Sequence, residues 1–292
     1  MTDHVLRIQS ALTDRDHVLL GWLADHGVLT TAQIAHALFP SVDFAQERLR
    51  KLAALGVLAR FRPQRPDGGS HPYHYVLDQL GVDVVCAQRG DELPRRDAAR
   101  KRRWHLTNRA NLPHLLGVNQ FFIELAGYAR THPEARLERW WPASRMQGRG
   151  AFAEPGDDVQ ILVYKPRIRP DGHGIWVEHD ARVPFFVEYD TGTEPLGVLV
   201  DKLYDYAALA KVTGRVWPVL FWLHAAAREQ NLHQHLDQEG IALPVATAAR
   251  ADAVRTGASP AEAVWWLHRH PGGLLRLADL AATVFTRKEA AA

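Results

Sequence analysis

The run VWPVLFWL at residues 216–223 restricts the fold most, because it is apolar almost throughout. A strand with apolar residues on both sides is typical of a sheet that is covered on both faces. Before it lie a long amphipathic helix, the strand-like ARLERWWP, two strands that meet near His179 and Asp180, and the helical PLGVLVDKLYDYAALAKVTG. This order predicts a mixed sheet flanked by helices in the second half of the chain, and an α+β or α/β fold class.

The first part of the chain has a different pattern, in which three helical segments precede two short β-prone runs. The expected N-caps of the helices are Thr13, then Thr30 or Thr31, then Ser41 or Asp43. The runs VLARFRP and HYVL flank the turn sequence PDGGS, as the two strands of a β-hairpin do. Three helices and a hairpin in this order predict a winged helix, in which the third helix enters the DNA major groove and the hairpin is the wing.

Basic residues are concentrated where a winged helix would meet DNA. The net charge is only +2, but the stretch 95–103 alone has six basic residues against one acid, Asp97. Clustered lysine and arginine side chains favour binding to phosphates, because they release counterions from the nucleic acid. The residues expected to contact double-stranded DNA are Arg48, Arg50, Lys51, Arg60, Arg62, Arg65, Arg100, Lys101, Arg102 and Arg103. The alternative is a winged helix that forms a homodimer or binds a protein partner.

The chain divides into three parts by pattern and composition. We expect a winged-helix domain over residues 1–90, a basic linker over 91–110, and a second domain over 111–292 that includes a C-terminal extension. With 47% apolar and 23% charged residues the composition is that of a globular protein. One cysteine excludes an internal disulfide framework, and neither a signal peptide nor a membrane-spanning stretch is recognised. These features predict a cytoplasmic protein without a membrane partner.

Three acidic residues in the second region form the candidate catalytic site. Asp171 follows a proline, while Glu188 and Asp190 stand two residues apart at the end of a strand and so share a face of it. A neighbouring strand can bring Asp171 beside them, and packed carboxylates of this kind suit Mg²⁺ or Mn²⁺. Lys202, on the next helix, can stabilise charge on a phosphate. The alternative is that Asp171 belongs to an ordinary PDG turn and that the other two acids are a polar strand end.

These residues also carry a family resemblance. The segments IRPDG, FFVEYDTGTE and DKLYDY, after the helix HLLGVNQFFIEL and the winged-helix-like region, resemble the replication-relaxation family of Gram-positive chromosomes and mobile elements. The resemblance extends from about Leu12 to about Leu236. Its second half is similar to the PD-(D/E)xK nuclease superfamily, which implies a restriction-endonuclease-like mixed sheet flanked by helices.

The nuclease motif matches this sequence in two of its three parts. Pro170 and Asp171 match the PD pair, and Glu188 matches the second acid, but Asp190 stands where the motif has lysine. The resemblance therefore implies catalysis only if Lys202 replaces that lysine from the helix.

Two functions follow from the sequence. The first is a DNA-binding protein of a plasmid or mobile element that acts as a metal-dependent endonuclease or nickase in replication or relaxation of the element's DNA. The second is a non-catalytic replication initiator or transcriptional regulator that keeps a degenerate nuclease fold. Other replication or transfer proteins are further candidate partners. His114 and Glu124 are accessory candidates on the long helix, whereas His233 and His235 are placed too far apart around a helix to share a zinc ion.

Overall fold

A computed structural model of the chain describes residue 8 and residues 10–63 and 71–283. Two separate β-sheets and the helices around them give a mixed α+β fold, as the sequence predicts. The chain divides into two compact units, Met1–Gly127 and Tyr128–Ala292. In the described part of the chain, every helix is too short or too polar to cross a lipid bilayer.

Between Asp14 and Leu77 the N-terminal unit has three helices and a three-stranded antiparallel sheet of strand order β1-β3-β2. Their bounds are α1 (Asp14–His26), β1 (Leu29–Thr30), α2 (Thr31–Leu38), α3 (Val42–Ala54), β2 (Leu58–Phe61) and β3 (His74–Leu77). The N-caps are Thr13, Thr30 and Ser41, each among the predicted capping residues, and the first two complete capping boxes. The predicted PDGGS turn between β2 and β3 lies outside the described residues.

Three further helices follow the hairpin: α4 (Gln79–Arg89), α5 (Ala98–Thr107) and α6 (Leu112–Thr131). The basic run, for which the sequence predicts a linker, is therefore largely helical from Ala98 onward. Helix α5 contains neither glycine nor proline and is rich in residues with high helix propensity. Its apolar residues Ala99 and Leu106 are buried, which anchors α5, while most of its basic residues remain exposed.

The C-terminal unit is built on a six-stranded sheet of order β4-β5-β6-β7-β8-β9. Its elements are β4 (Ala135–Pro142), a 3-10 helix (Ala143–Gln147), α7 (Val159–Val163), β5 (Gly172–Glu178), β6 (Ala181–Tyr189), α8 (Leu196–Thr213), β7 (Val219–Leu223), α9 (Ala226–Glu239), β8 (Val245–Ala249), α10 (Arg250–Thr256) and β9 (Trp266–Leu267). Strands β6, β7 and β8 are parallel neighbours, and the remaining pairs are antiparallel.

The last five residues of the apolar run 216–223 form β7 (Val219–Leu223), in the interior of this sheet, and all five are buried. Helices α8 and α9 contribute Leu203 and Leu232 to a core cluster that also contains Phe221 of β7. The parallel arrangement of β6 and β7 places their carboxyl ends at the same edge of the sheet. That edge is where the candidate catalytic residues lie.

Candidate functional site

The register of β5 and β6 brings two of the predicted carboxylates together. Gly172, the first residue of β5, pairs with Val187, so the preceding Asp171 lies next to Glu188. The backbone N–H of Tyr189 donates a hydrogen bond of 2.8 Å to Oδ2 of Asp171. This bond fixes Asp171 at the end of β6, beside Glu188.

Two side chains from α8 hold the carboxylate of Glu188. Lys202 Nζ donates to Oε2 at 2.9 Å, and the hydroxyl of Tyr206 donates to Oε1 at 2.5 Å. The two donors are one helical turn apart, so one face of α8 reaches both oxygens. Lys202 also lies 3.3 Å from Glu194, and Glu188 is only 1% exposed. The predicted pairing of Lys202 with the acidic site is thus present in the structure.

The electrostatics of Glu188 differ from those of an ordinary buried ion pair. Burial, and then the charge of Asp171, raise the pKa of Glu188 to about 7, although Lys202 and Tyr206 oppose the shift. Burial lowers the pKa of Lys202, but Glu188 and the neighbouring acids outweigh it and raise that pKa to about 12. Burial also raises the pKa of Tyr206, so its hydroxyl keeps its proton and donates. The site therefore carries more acidic groups than its one ammonium neutralises, an arrangement that favours a bound cation.

Asp190 is not part of this group in the structure. Arg228 of α9 binds both of its carboxylate oxygens, at 2.6 and 2.8 Å, and also donates to the carbonyl of Glu194 at 2.6 Å. The strand ends at Tyr189, and Arg228 rather than Lys202 is the basic side chain that holds the carboxylate of Asp190. Its contacts indicate that Asp190 fixes the loop after β6, a role that the sequence pattern did not reveal.

A different trio comes closest to the geometry of a three-ligand metal site. Among the described residues, Glu134, Glu178 and His179 offer three ligand atoms within 4.8 Å of one another, whereas the three predicted acids do not. Glu178 already accepts hydrogen bonds from Arg276 at 2.6 Å and from Trp176 at 3.1 Å. The positive charge of Arg276 offsets the negative charge of the Glu178 carboxylate. The grouping of these three residues is therefore explained without a metal ion.

The predicted DNA contacts on α3 have different environments. Arg48 binds the buried Asp16 with a hydrogen bond of 3.0 Å from Nε and a closer one from Nη2, and it also donates to the carbonyl of Ala11. Its guanidinium is therefore used inside the N-terminal unit. Lys51 pairs with Glu47 on the helix surface at 2.7 Å, and Arg50 is exposed. Lys51 and Arg50 are thus the α3 residues that remain accessible to a nucleic acid.

The predicted wing residues Arg60 and Arg62 both stack on the ring of Tyr73, with guanidinium carbons 4.2 and 3.8 Å from its centroid. They remain exposed, while the third predicted wing residue, Arg65, lies outside the described residues. This aromatic contact holds the two arginine side chains side by side.

On α5 the predicted basic residues also divide into two groups. Arg102 is exposed but donates to the carbonyl of Ala24, and Lys101 pairs with Asp97 at 2.7 Å. Arg100 is exposed, whereas Arg103 is half-buried and lies 3.8 Å from Asp78.

Glu124 and His233, two of the remaining candidates, have structural contacts. Glu124 lies 3.1 Å from His36. The ring of His233 lies 3.1 Å from that of His268 and 2.9 Å from the hydroxyl of Thr247, whereas His235 is exposed.

Two residues of the site were missed by sequence reasoning, Tyr206 and Arg228. The segment DKLYDY contains a signal for the first, because Tyr206 is four residues after Lys202 and therefore on the same face of a helix. No local pattern marks Arg228, since its partner Asp190 is 38 residues away in the chain.

Comparisons with known proteins gave one significant result. The family model described as Replication-relaxation matches residues 20–220, more than half of the chain. The matched range contains most of the three N-terminal helices, together with Asp171, Glu188 and Lys202. Searches of curated proteins and of solved structures gave no significant match.

Proposed function

The chain belongs to the replication-relaxation family, and from this premise we propose that it binds the DNA of a plasmid or mobile element and cleaves a strand of it by metal-dependent hydrolysis. One observation supports this most directly: Asp171, Glu188 and Lys202 meet at the carboxyl end of β6, with Glu188 nearly fully buried. Two acids and a lysine are the residue types that a PD-(D/E)xK nuclease uses. The replacement of the motif's lysine by one from a helix is then a feature of this chain.

The donor set fits a hard divalent ion. Asp171 and Glu188 supply carboxylate oxygens, the ligands that Mg²⁺ and Mn²⁺ prefer, and their mutual repulsion falls when a cation lies between them. When bound there, the ion would polarise the phosphodiester and lower the pKa of a coordinated water.

The chain's own residues supply the remaining parts of the reaction. Lys202 carries a positive charge next to Glu188, where it can stabilise negative charge that develops on the phosphate oxygens. Tyr206 fixes the orientation of Glu188. Water adds to phosphorus, the bond from phosphorus to the leaving deoxyribose oxygen breaks, and that oxygen takes up a proton. The product is a nick or a cut.

The N-terminal unit is proposed to be a winged helix that delivers the DNA. The order of its helices and antiparallel strands is that of a winged helix, with α3 in the position of the recognition helix. Arg50 on α3 and the stacked Arg60 and Arg62 on and after β2 present positive charge. A basic surface on α3 and the wing supports contact with the DNA backbone.

A plasmid assay tests the cleavage proposal. Supercoiled plasmid is incubated with the protein and Mg²⁺ or Mn²⁺, and conversion to the open circular form is followed. Glu188→Gln and Lys202→Met are each expected to reduce the rate by about 100-fold or more, since each removes a charge that stabilises the transition state. Glu239→Gln, which removes an exposed acid on α9, is the matched control and should retain the wild-type rate. Equal metal-dependent conversion by wild type and Glu188→Gln would contradict the assignment.

A second candidate is a DNA-binding initiator or regulator without catalysis. It is favoured by the position of Asp190, which replaces the motif's lysine and is bound by Arg228. This function predicts salt-sensitive DNA binding without plasmid conversion. A third outcome, DNA affinity that is unchanged in Arg50→Ala/Lys51→Ala and Arg60→Ala/Arg62→Ala variants, would indicate that the winged helix binds protein instead.

A further inference from the structure

The segment KPRIRPD, residues 165–171, leads directly to the candidate catalytic acid Asp171 and has a regular alternation of exposure. Lys165, Arg167 and Arg169 are exposed, whereas the residues between them are buried. The buried Ile168 belongs to the core cluster of the C-terminal unit, together with Met146 and Phe186. The segment is thus attached to the core on one side and presents three basic side chains on the other.

The two prolines account for this shape. Proline fixes its own backbone dihedral φ, and it restricts the preceding residue to extended conformations, here Lys165 and Arg169. No helix or strand is formed over residues 164–170. An extended segment held by prolines and by Ile168 is rigid without pairing to the sheet, so the positions of its side chains are set before any ligand binds.

The three basic side chains differ from the other arginines of this unit in their contacts. Among the described residues, none of the three forms a hydrogen bond or an ion pair. Arg215 and Arg228 of the same unit each donate to an aspartate at 2.6 Å. Arg149 is also exposed, and the N–H of the neighbouring Gly150 donates to the carbonyl of Tyr164 at 2.9 Å, directly before Lys165. Like charges at this density repel one another and do not stabilise the fold.

The spacing of the charges fits a linear polyanion. An extended chain rises about 3.3 Å per residue, so alternate side chains are about 6.6 Å apart. That distance is comparable to the separation of adjacent phosphates along a nucleic-acid strand. We infer that Lys165, Arg167 and Arg169 form a phosphate track that holds the backbone of the DNA strand entering the Asp171–Glu188 site. This inference rests on the proposed function and adds a contact surface separate from the winged helix.

The salt dependence of DNA binding tests the phosphate track. The full chain is titrated, in EDTA to prevent cleavage, with a labelled 20-base-pair duplex and with the single strand of the same length, at several salt concentrations. Each phosphate that the protein no longer neutralises lowers the slope of log K against log salt by about 0.9 for duplex and 0.7 for a single strand. Arg167→Gln/Arg169→Gln should therefore reduce the slope by about 1 to 2. The matched control is Arg136→Gln/Arg182→Gln, which removes the same charge at the opposite end of β4 and β6.

The outcomes separate this inference from the cleavage proposal. If the slope of log K against log salt falls in Arg167→Gln/Arg169→Gln but not in the control variant, with duplex or single-stranded DNA, the phosphate track is supported. This conclusion does not depend on whether the plasmid assay shows cleavage. Equal slopes in the track and control variants overturn it, even if wild type cleaves plasmid. A second measurement uses wild-type protein alone: bound DNA should slow acylation of Lys165 by an amine-specific reagent severalfold, and an unchanged rate overturns the inference.

Discussion

Each unit of the molecule contains a buried carboxylate that is bound by a basic side chain, and the two behave in opposite ways. Asp16 in the N-terminal unit and Glu188 in the C-terminal unit are each 1% exposed. Burial alone raises the pKa of Asp16, but hydrogen bonds from Arg48 and Thr13 outweigh it, and the pKa ends below its usual value. For Glu188 the effect of burial prevails and the pKa is raised.

The difference comes from what surrounds each ion pair. Asp16 accepts from the backbone N–H and the hydroxyl of Thr13 as well as from Arg48, and both Thr13 donors belong to the capping of α1. Glu188 has a second acid, Asp171, as its neighbour. A carboxylate that is satisfied by its neighbours serves the fold, whereas one that remains undercompensated is available to a ligand. The comparison therefore separates a structural ion pair from a candidate catalytic one.

The strongest effect is predicted for the N-terminal pair. Arg48→Met leaves the charge of Asp16 buried with Thr13 as its remaining partner, and we expect a loss of about 3 kcal/mol in the free energy of unfolding at pH 7. Chemical denaturation measures this change. Lys51→Gln, which breaks an exposed pair on the same helix, is the control and should cost less than about 0.5 kcal/mol. A loss below about 1 kcal/mol for Arg48→Met would remove the structural role assigned to the pair.

Glu188→Gln is expected to gain stability relative to wild type as the pH rises. The folded state holds the proton of Glu188 up to about pH 7, whereas the unfolded chain releases it near pH 4.5, so ionisation opposes folding progressively across that interval. The amide has no such penalty, so its free energy of unfolding should rise relative to that of wild type as the pH increases from 4 to 8 in EDTA. The gain should disappear near pH 4. Denaturation curves at pH 4 and pH 8 check this, and a difference between variant and wild type that is the same at both pH values would show that Glu188 is fully compensated.

A weaker effect is predicted for Tyr206→Phe. Removal of the hydroxyl takes one hydrogen bond from Glu188 and should change stability by about 1 kcal/mol. Because that bond favours the ionised carboxylate, its loss should raise the pKa of Glu188 further and shift the acidic limb of the plasmid-cleavage profile to higher pH. Tyr204→Phe, two residues earlier and exposed, is the control. Identical pH profiles for the two variants would show that Tyr206 does not tune Glu188.

Local features of the sequence predicted much of the fold. The capping residues Thr13, Thr30 and Ser41 mark the starts of α1, α2 and α3, because a cap is a contact between residues three apart. The run VWPVLFWL predicted an interior strand correctly, since burial on both faces requires apolar residues throughout. The basic run was harder to interpret. Its charge pattern suggested a linker, whereas residues Ala98–Thr107 form α5, as their helix propensity favours.

The site was predictable only in part. Asp171, Glu188 and Lys202 were identified as candidate site residues from the sequence, because of the family resemblance and the proline before Asp171. Three pairings became visible only after folding: Tyr206 binds Glu188, Arg228 binds Asp190, and Arg48 binds Asp16. Separation along the chain explains the difference. Helical periodicity and capping act over a few residues, whereas the partner of a buried charge is chosen by how the helices pack on the sheet and on one another.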